Sequence, residues 1–586
     1  MRTFLDVLRD NAVYADRQVT FVRSNGSERS VSYAELWNES KRRAGALFNM
    51  GLQKGDRIAL ILPEPDEFVL TFIGALAAGI VAVPMYPPQT LAKLEAYGDT
   101  VRHVLAASGA RALVTSDALR PLIEQNLLAS LADGAESTGG TRLVLERELR
   151  EGGETPGDLP PISLDDLAFL QFTSGSTSRP KGVMVTHRNL SVNSHAIMFD
   201  GLRSTPADKG VSWLPLYHDM GLIGFVIAPL YALVQVMFLP TMAFIRRPSL
   251  WLEAIHRFRG TITFAPNFAF ALAARAVTET QSASWDLSSM RALGCGAEPI
   301  SADVLRVFLA RFKKHGLRPE SILPSYGMAE ATLAITFSDV DGPLVTDQVD
   351  VDSMRRGLAK RAEGNSQMEL VSCGRPFPGH ELAIMSPTGF PLGEREVGEI
   401  WLRGPSVTAG YFNDAEATVE TFGGGWLKTG DLGYLAGGEL YICGRAKDLI
   451  ILNGKNYYPQ DIERVVSKVE GVREGQCVAF SRLDQAGAEI AVVVAESAKK
   501  SAEAAAAIGQ AIVQAVRSEM GVQVGEVYLI RRGTLPKTSS GKVRRKETKR
   551  RLDEGELELV TDIDAESHAP HPAGRQEIEA PAPPAS

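Results

Sequence analysis

The chain has 586 residues, 45% of them hydrophobic and 23% charged, with a formal net charge of −8, so it is an ordinary globular composition too long for one core and predicts several domain-sized units. The acidic balance excludes an overall attraction to nucleic acid or an anionic membrane. Four scattered cysteines, Cys295, Cys373, Cys443 and Cys477, exclude a disulfide scaffold or zinc knuckle and read as small buried hydrophobes in a reducing, cytoplasmic setting.

The amino-terminal stretch MRTFLDVLRDNAVYADR is charged throughout and lacks the apolar centre of a secretory signal. Residues 68–85 and 224–244 approach the ~20 apolar residues of a membrane span. The first is Gly/Ala-rich and ends in VPMYPP, and the second contains Pro229, Gln235 and Pro240. Each therefore predicts a buried helix running into a buried strand, with no transmembrane segment.

From residue 31 to 88 the pattern reads helix (32–52), strand (57–62), helix (68–79), strand (81–84), an alternation that implies parallel strands with crossover helices. At 170–189, LQFTSGSTSRPKGVMVTHRN reads as a phosphate-holding loop. Thr173, Ser174, Ser176, Thr177 and Ser178 set five hydroxyls around Gly175, where the backbone can bend closely about an anion, and Lys181 adds a cation. The nucleotide loop G-x-x-x-x-G-K-[ST] does not fit, because Pro180 stands where glycine is required and Gly182 where a hydroxyl is required. A Ser/Gly linker is the competing reading. The flanks 167–172 and 183–185 argue against it, being apolar and β-branched like core strands.

The α/β rhythm then returns in VSWLPL, VQVMFLP, GTITFAP and RALGCGAEP. In open α/β sheets ligands collect beyond the carboxyl ends of strands. There the sequence places His218 and Asp219 after LPL, Gly296, Ala297 and Glu298 after RALGC, and Ser325, Tyr326, Gly327, Met328 and Glu330 after ILP. Tyr326 offers a flat face to a purine, and Glu330 a hard oxygen to the Mg²⁺ that escorts a nucleotide. Asp431 in LKTGDLGYL suits both hydroxyls of a ribose, and Arg445, Lys447 and Asp448 form a charged turn between strands.

In this order, TSGSTSRPKG, LPLYHDMG, GAEP, SYGMAEAT, TGDLG, GRAKDLI, NGKNYYPQDIE and PKTSSGK resemble the adenylate-forming superfamily of acyl-CoA synthetases, peptide-synthetase adenylation domains and luciferases. The likeness extends to about Arg551. It implies an α/β fold: a large amino-terminal domain of layered α/β subdomains with a distorted β-barrel part (1–446), then a small α+β carboxy-terminal domain (447–552) that rotates about a hinge at Lys447. It also implies that Lys542 is the adenylation lysine, which suits the flexible, hydroxyl-rich loop 536–541. Residues 537–551 hold eight basic residues and one acidic, and those after the loop, Arg544, Arg545, Lys546, Lys549, Arg550 and Arg551, are expected to form a solvated helix start. Residues 553–586 are acidic, then Pro/Ala-rich, and are expected to be a disordered tail.

Within the superfamily, VPMYPP (83–88), SWLPLYHDMGLIG (212–224) and the polar stretch 338–370 resemble the fatty acyl-AMP ligase branch. There the stretch would restrain the small domain and disfavour thioester formation with coenzyme A; a variable surface loop is its plainer reading. The resemblance implies a ligase that uses ATP and Mg²⁺ to turn a fatty acid into acyl-AMP. The acyl group would then pass to an acyl carrier protein, or to a carrier domain of a polyketide or nonribosomal peptide synthase. Thr173 to Lys181 would cradle phosphates, Tyr326 and Ala297 hold adenine, Asp431 and Arg445 hold ribose, and His218 sit by the carboxylate. Residues 224–244 and 263–270 would line an acyl tunnel, with ordinary core as the alternative. The rival readings are an acyl-CoA synthetase and a non-catalytic binding protein; Lys542, Glu330 and Asp431 together weigh against the second.

Overall fold

The computed structural model describes residues 1–88, 94–125, 140–173, 179–364, 366–452, 455–484, 489–497, 501–538 and 543–560. Two compact units divide the chain, the first built mainly from Met1–Leu449 and the second mainly from Pro459–Pro536 and the segment beginning at Val543. The main segment of the first unit ends just after the charged turn Ala446–Asp448, and Asn453–Tyr458 also belongs to that unit.

The large unit holds two α/β sheets. In the six-stranded sheet the spatial order is Arg142–Leu145, Ala112–Thr115, Arg57–Ile61, Val81–Pro84, Leu167–Thr173 and Lys181–Thr186. All pairings are parallel except the last. Helix Tyr33–Asn49 begins with a capping box in which Ser32 and Glu35 satisfy each other's backbone donors. Helix Pro65–Ala77 is apolar on nearly every side and is buried accordingly.

The nine-stranded sheet runs Arg375–Pro376, Ala334–Phe337, Ile322–Gly327, Ala292–Cys295, Ile262–Ala265, Lys209–Ser212, Gln235–Phe238, Gln18–Val22, Glu28–Ser32. Its six central strands, from Ile322–Gly327 to Gln18–Val22, are parallel. The two stretches of near-spanning length are both in the core, with Phe72, Phe225 and Phe244 buried, and among the described residues no helix is long and apolar enough to cross a membrane. Trp213 stacks on Phe244 at 3.8 Å between ring centroids, and the Trp251 indole N–H donates to Thr263 at 2.9 Å.

The part expected as a distorted barrel is a four-stranded antiparallel meander, Glu381–Met385, Gly398–Arg403, Leu427–Ala436 and Glu439–Arg445. Against it lies the stretch 338–370. It is a hairpin of Thr346–Asp350 and Gln367–Val371 with a short helix, Val351–Arg355, between them. Val349, Met354, Ala359 and Met368 pack with Tyr434, Tyr441, Cys443 and Tyr458, and Asp347 accepts from Arg395 at 3.0 Å and from the Tyr434 hydroxyl at 2.8 Å. The stretch is thus an ordered hairpin with a buried face, made by Asp347 and Val349 on one strand and Met368 and Val371 on the other.

The small unit is a three-stranded sheet, Val472–Leu483, Glu489–Ser497 and Val524–Arg531, with helices Pro459–Val466, Ala502–Met520 and Arg545–Asp553. Two expectations change here. Arg545 and Lys549 are only partly solvated: Arg545 pairs with Glu463 at 2.6 Å and Lys549 donates to the Ser481 carbonyl at 2.7 Å, so they fasten the last helix to neighbouring elements of the unit. Nor does the ordered unit stop at 552. Leu557 packs against the apolar cluster around Val478, Leu559 bridges Ile530, and the buried Val560 donates its N–H to the Leu529 carbonyl at 2.8 Å. The alternating ELELV is a strand-like edge that composition alone reads as tail; residues 561–586 lie outside the described residues.

Candidate active site

Several of the expected site residues follow the carboxyl ends of strands in the two mainly parallel sheets. In the nine-stranded sheet Cys295 is in register with Pro324, so the segments following these strands, 296–298 and 325–330, emerge side by side. A Cβ on Gly296 would stand 2.7 Å from the Ser325 hydroxyl oxygen and 2.9 Å from its carbonyl oxygen, which is why glycine is needed there. Ala297 adopts φ +68, a conformation that costs a non-glycine residue energy and that clusters at functional sites. The Glu298 carboxylate accepts from the Phe268 N–H at 2.7 Å, so it serves the start of helix Asn267–Ala276.

Tyr326 donates its hydroxyl to Asp431 at 2.8 Å, and Arg445 donates its Nε–H to the other oxygen of the same carboxylate at 3.1 Å. The pairing of Asp431 with Arg445 across antiparallel strands makes this possible. Asp431 holds the Arg445 guanidinium above its ordinary pKa, while burial and then the Asp431 charge push the Tyr326 hydroxyl well up. Both groups therefore remain protonated donors around one buried acceptor.

Glu330 lies in the turn Ala329–Ala331, and its carboxylate accepts from the Tyr411 hydroxyl at 2.8 Å. Burial raises the Glu330 pKa, while the hydrogen bond from Tyr411 acts the other way. Lys181 stands 5.2 Å from the Tyr411 ring centroid, in the range of a cation–π contact. The backbone explains the meeting, because Met184 N–H bonds Gly410 C=O at 3.0 Å and Phe412 N–H bonds Gly182 C=O at 2.8 Å. Tyr411, which the motifs do not mark, joins Glu330 and Lys181 here; it forms an isolated antiparallel bridge with Val183.

Thr173 and Lys181 are partners in antiparallel register, so both ends of the expected phosphate loop are held together. Ser174, Gly175, Ser176, Thr177 and Ser178, expected to form its turn, lie outside the described residues, as does Lys542. Gln171 donates to the Tyr217 carbonyl at 3.0 Å, beside His218, which pairs through Nδ1 with Asp219. Tyr217 lies 6.2 Å ring to ring from Tyr86, so the VPMYPP and YHDMG segments meet. In the segments expected to line an acyl tunnel, Phe225, Phe244 and Phe270 are packed as core. Among the described residues no three His, Cys, Asp or Glu side chains form a metal cage.

A family model described as AMP-binding enzyme matches residues 8–412. The chain belongs to the AMP-binding enzyme family. A second model, Disco-interacting protein 2-like AMP domain, matches residues 447–561 of this AMP-binding enzyme. A Caulobacter vibrioides protein named provisionally as an acyl-CoA synthetase is 36% identical, over 89% of this chain and 90% of its own. The Moorena producens medium-chain-fatty-acid–[acyl-carrier-protein] ligase JamA is 34% identical over 95% of this chain and 96% of its own. A solved structure from a study of fatty acyl-adenylate ligases of E. coli and L. pneumophila superposes with a TM-score of 0.88 at 34% identity, covering 95% of this chain and 98% of that one.

Proposed function

We propose that this AMP-binding enzyme activates a fatty acid with ATP, releasing pyrophosphate, and passes the acyl group from acyl-AMP to the phosphopantetheine thiol of an acyl carrier protein. The observation that carries the reading is the convergence of Tyr326, Arg445 and Asp431 beside the turn that holds Glu330, with Lys181 reached through Tyr411.

In this reading the fatty-acid carboxylate attacks the α-phosphorus, the bond to the β-phosphate oxygen breaks, and pyrophosphate leaves with the electron pair. Asp431 accepts from the ribose hydroxyls and is kept in place by Tyr326 and Arg445. The hydroxyls of 173–178 and the Lys181 ammonium surround the leaving phosphates. Lys542 supplies a cation to the negatively charged transition state, where such contacts count most. His218, oriented by Asp219, lies by the carboxylate. A single carboxylate, Glu330, fits Mg²⁺, which usually takes one or two carboxylates with substrate phosphates rather than a protein cage. Bound there, the ion would neutralise charge on the departing pyrophosphate. In the second half-reaction the carrier thiol adds to the acyl carbonyl and AMP leaves.

The test supplies ATP, Mg²⁺, a fatty-acid pool and either coenzyme A or a phosphopantetheinylated carrier, and follows pyrophosphate release and products by mass spectrometry. Acyl-AMP and acyl-carrier are expected. Acyl-CoA made at the adenylation rate would replace this reading with that of an acyl-CoA synthetase.

A further inference from the structure

Glu330 is followed by an unusual residue. Thr332 is fully buried, yet its backbone sits at φ +69, ψ −64, a region that a β-branched residue rarely enters. Gly327 permits the turn to double back this sharply, since a Cβ there would stand 1.8 Å from the Leu333 carbonyl oxygen. A conformation of this kind persists only where surrounding contacts over-determine it.

Those contacts form a closed set of buried polar groups. The Thr332 hydroxyl donates to the Ser406 carbonyl at 2.6 Å. Ser406 is itself fully buried; its hydroxyl lies 2.7 Å from His380 Nε2 and accepts from the Asn193 amide at 3.0 Å. His380 Nδ1 lies 3.1 Å from the Pro378 carbonyl, which can only accept, so Nδ1 carries the proton and Nε2 accepts from the hydroxyl and the N–H of Ser406. Asn193 also donates to the Ala334 carbonyl at 2.8 Å and accepts from its N–H at 3.3 Å. Gly404 lets the imidazole in, as a Cβ there would stand 2.6 Å from His380 Cδ2. The same loop grips the acid directly, through Thr408 N–H to the Glu330 carbonyl at 2.9 Å.

We propose that Thr332, Ser406, His380 and Asn193 are positioning residues that hold the Glu330 turn in a strained conformation competent for the metal–nucleotide. None is on a charged surface or in the expected nucleotide contacts, and they come from four separate segments of the chain. Full satisfaction of such a network fixes one arrangement, whereas losing one member leaves a buried acceptor unpaired and frees the turn to relax. The proposal rests on reading Glu330 as the metal-facing acid.

The decisive comparison is Thr332→Val, which keeps shape and branching but removes the donor, against Thr332→Ser, which keeps the donor. In the full chain, Thr332→Val should lower kcat for acyl-AMP formation by ~10-fold or more and raise the Mg²⁺ concentration for half-maximal rate, with the fatty-acid KM unchanged; Thr332→Ser should restore both. Calorimetric titration with α,β-methylene-ATP, with and without Mg²⁺, gives a readout apart from turnover: Thr332→Val should lose the Mg²⁺-dependent gain in affinity that Thr332→Ser keeps. Ser406→Ala provides a second arm, with the same direction expected, should Thr332→Val fold poorly. Wild-type kcat and Mg²⁺ dependence in a folded Thr332→Val or Ser406→Ala protein would overturn the proposal. Glu330→Gln, measured alongside, separates the two levels: wild-type Mg²⁺ dependence in that variant overturns the role of Glu330 and the clamp with it, whereas loss there with none in the clamp variants overturns the clamp alone.

Discussion

Tyr326 and Asp431, 105 residues apart in the chain, are joined by a 2.8 Å hydrogen bond that makes the expected adenine platform and ribose acceptor one unit. Tyr326→Phe should therefore weaken ATP binding although the ring is kept. A bond to a charged group is worth about 1.5–3 kcal/mol, so the expected loss is on the order of 10-fold. Asp431→Ala orphans Tyr326 and Arg445 together and should cost on the order of 10²-fold in ATP affinity, leaving fatty-acid affinity unchanged. Titration of each ligand into the variants checks this; equal losses for both ligands would point to misfolding instead.

Lys542→Ala should leave the fold intact and reduce acyl-AMP formation by ~10²-fold or more, the scale of removing one donor aimed at developing charge. Pyrophosphate release under single-turnover conditions is the measurement. A variant that adenylates at the wild-type rate removes Lys542 from the mechanism.

Asp347 ties the hairpin 346–371 to Arg395 and Tyr434, and its carboxylate is mostly buried. Asp347→Ala leaves both partners without it and should cost about 2–3 kcal/mol, less than a fully buried pair because Arg395 is partly exposed. A lower denaturation midpoint is the expected result. Deleting 338–370 outright would uncover Tyr434, Tyr441 and Cys443, so a loss of stability must be measured before any gain in thioester formation is interpreted. Wild-type stability of Asp347→Ala would show that the hairpin is not anchored through this residue.

His187 opens helix His187–His195, is almost wholly buried, and its Nδ1 has no hydrogen-bond partner. Burial lowers its pKa to about 4. The unfolded imidazole titrates near 6.5, so between about pH 4 and 6.5 the unfolded chain binds more protons and stability falls as pH falls through that window, by roughly 3 kcal/mol at most. Glu67 has the opposite sign: burial raises its pKa to about 7, so the folded protein keeps a proton that the unfolded chain loses, and stability falls as pH rises from about 4.5 to 7. Comparing wild type with His187→Leu at pH 4.5 and 7.5 isolates the histidine. The wild type should lose more stability on acidification, and parallel losses would refute the assignment.

How much was legible in the sequence followed from range. Strands 57–62 and 81–84 and the helices around them were readable because their periodicity is local, and GAEP and SYGMAEAT marked strand ends by their glycines. Tyr411 and Ser406 were not, because their partners Glu330 and Thr332 are more than 70 residues away and no local pattern encodes that meeting. Arg545 and Lys549 were read as solvated for the same reason, since composition does not show that Glu463 and the Ser481 carbonyl await them. The residues 553–560 were lost to the tail because a five-residue apolar alternation is weak beside acidic and Pro/Ala-rich neighbours.

The strand Gln18–Val22 pairs in parallel with Gln235–Phe238, although the chain between them builds the whole six-stranded sheet. Synthesis at ~5–20 residues per second means that this early strand waits on the order of 10–40 s for its partner to leave the ribosome. During that interval Val19 and Phe21, wholly buried in the finished protein, have only the antiparallel strand Glu28–Ser32 beside them. A two-stranded hairpin is marginal by itself, so the nascent chain passes through a long stage with an apolar edge uncovered. Yield of this protein should therefore respond to translation speed and to chaperone supply more than its final stability would suggest.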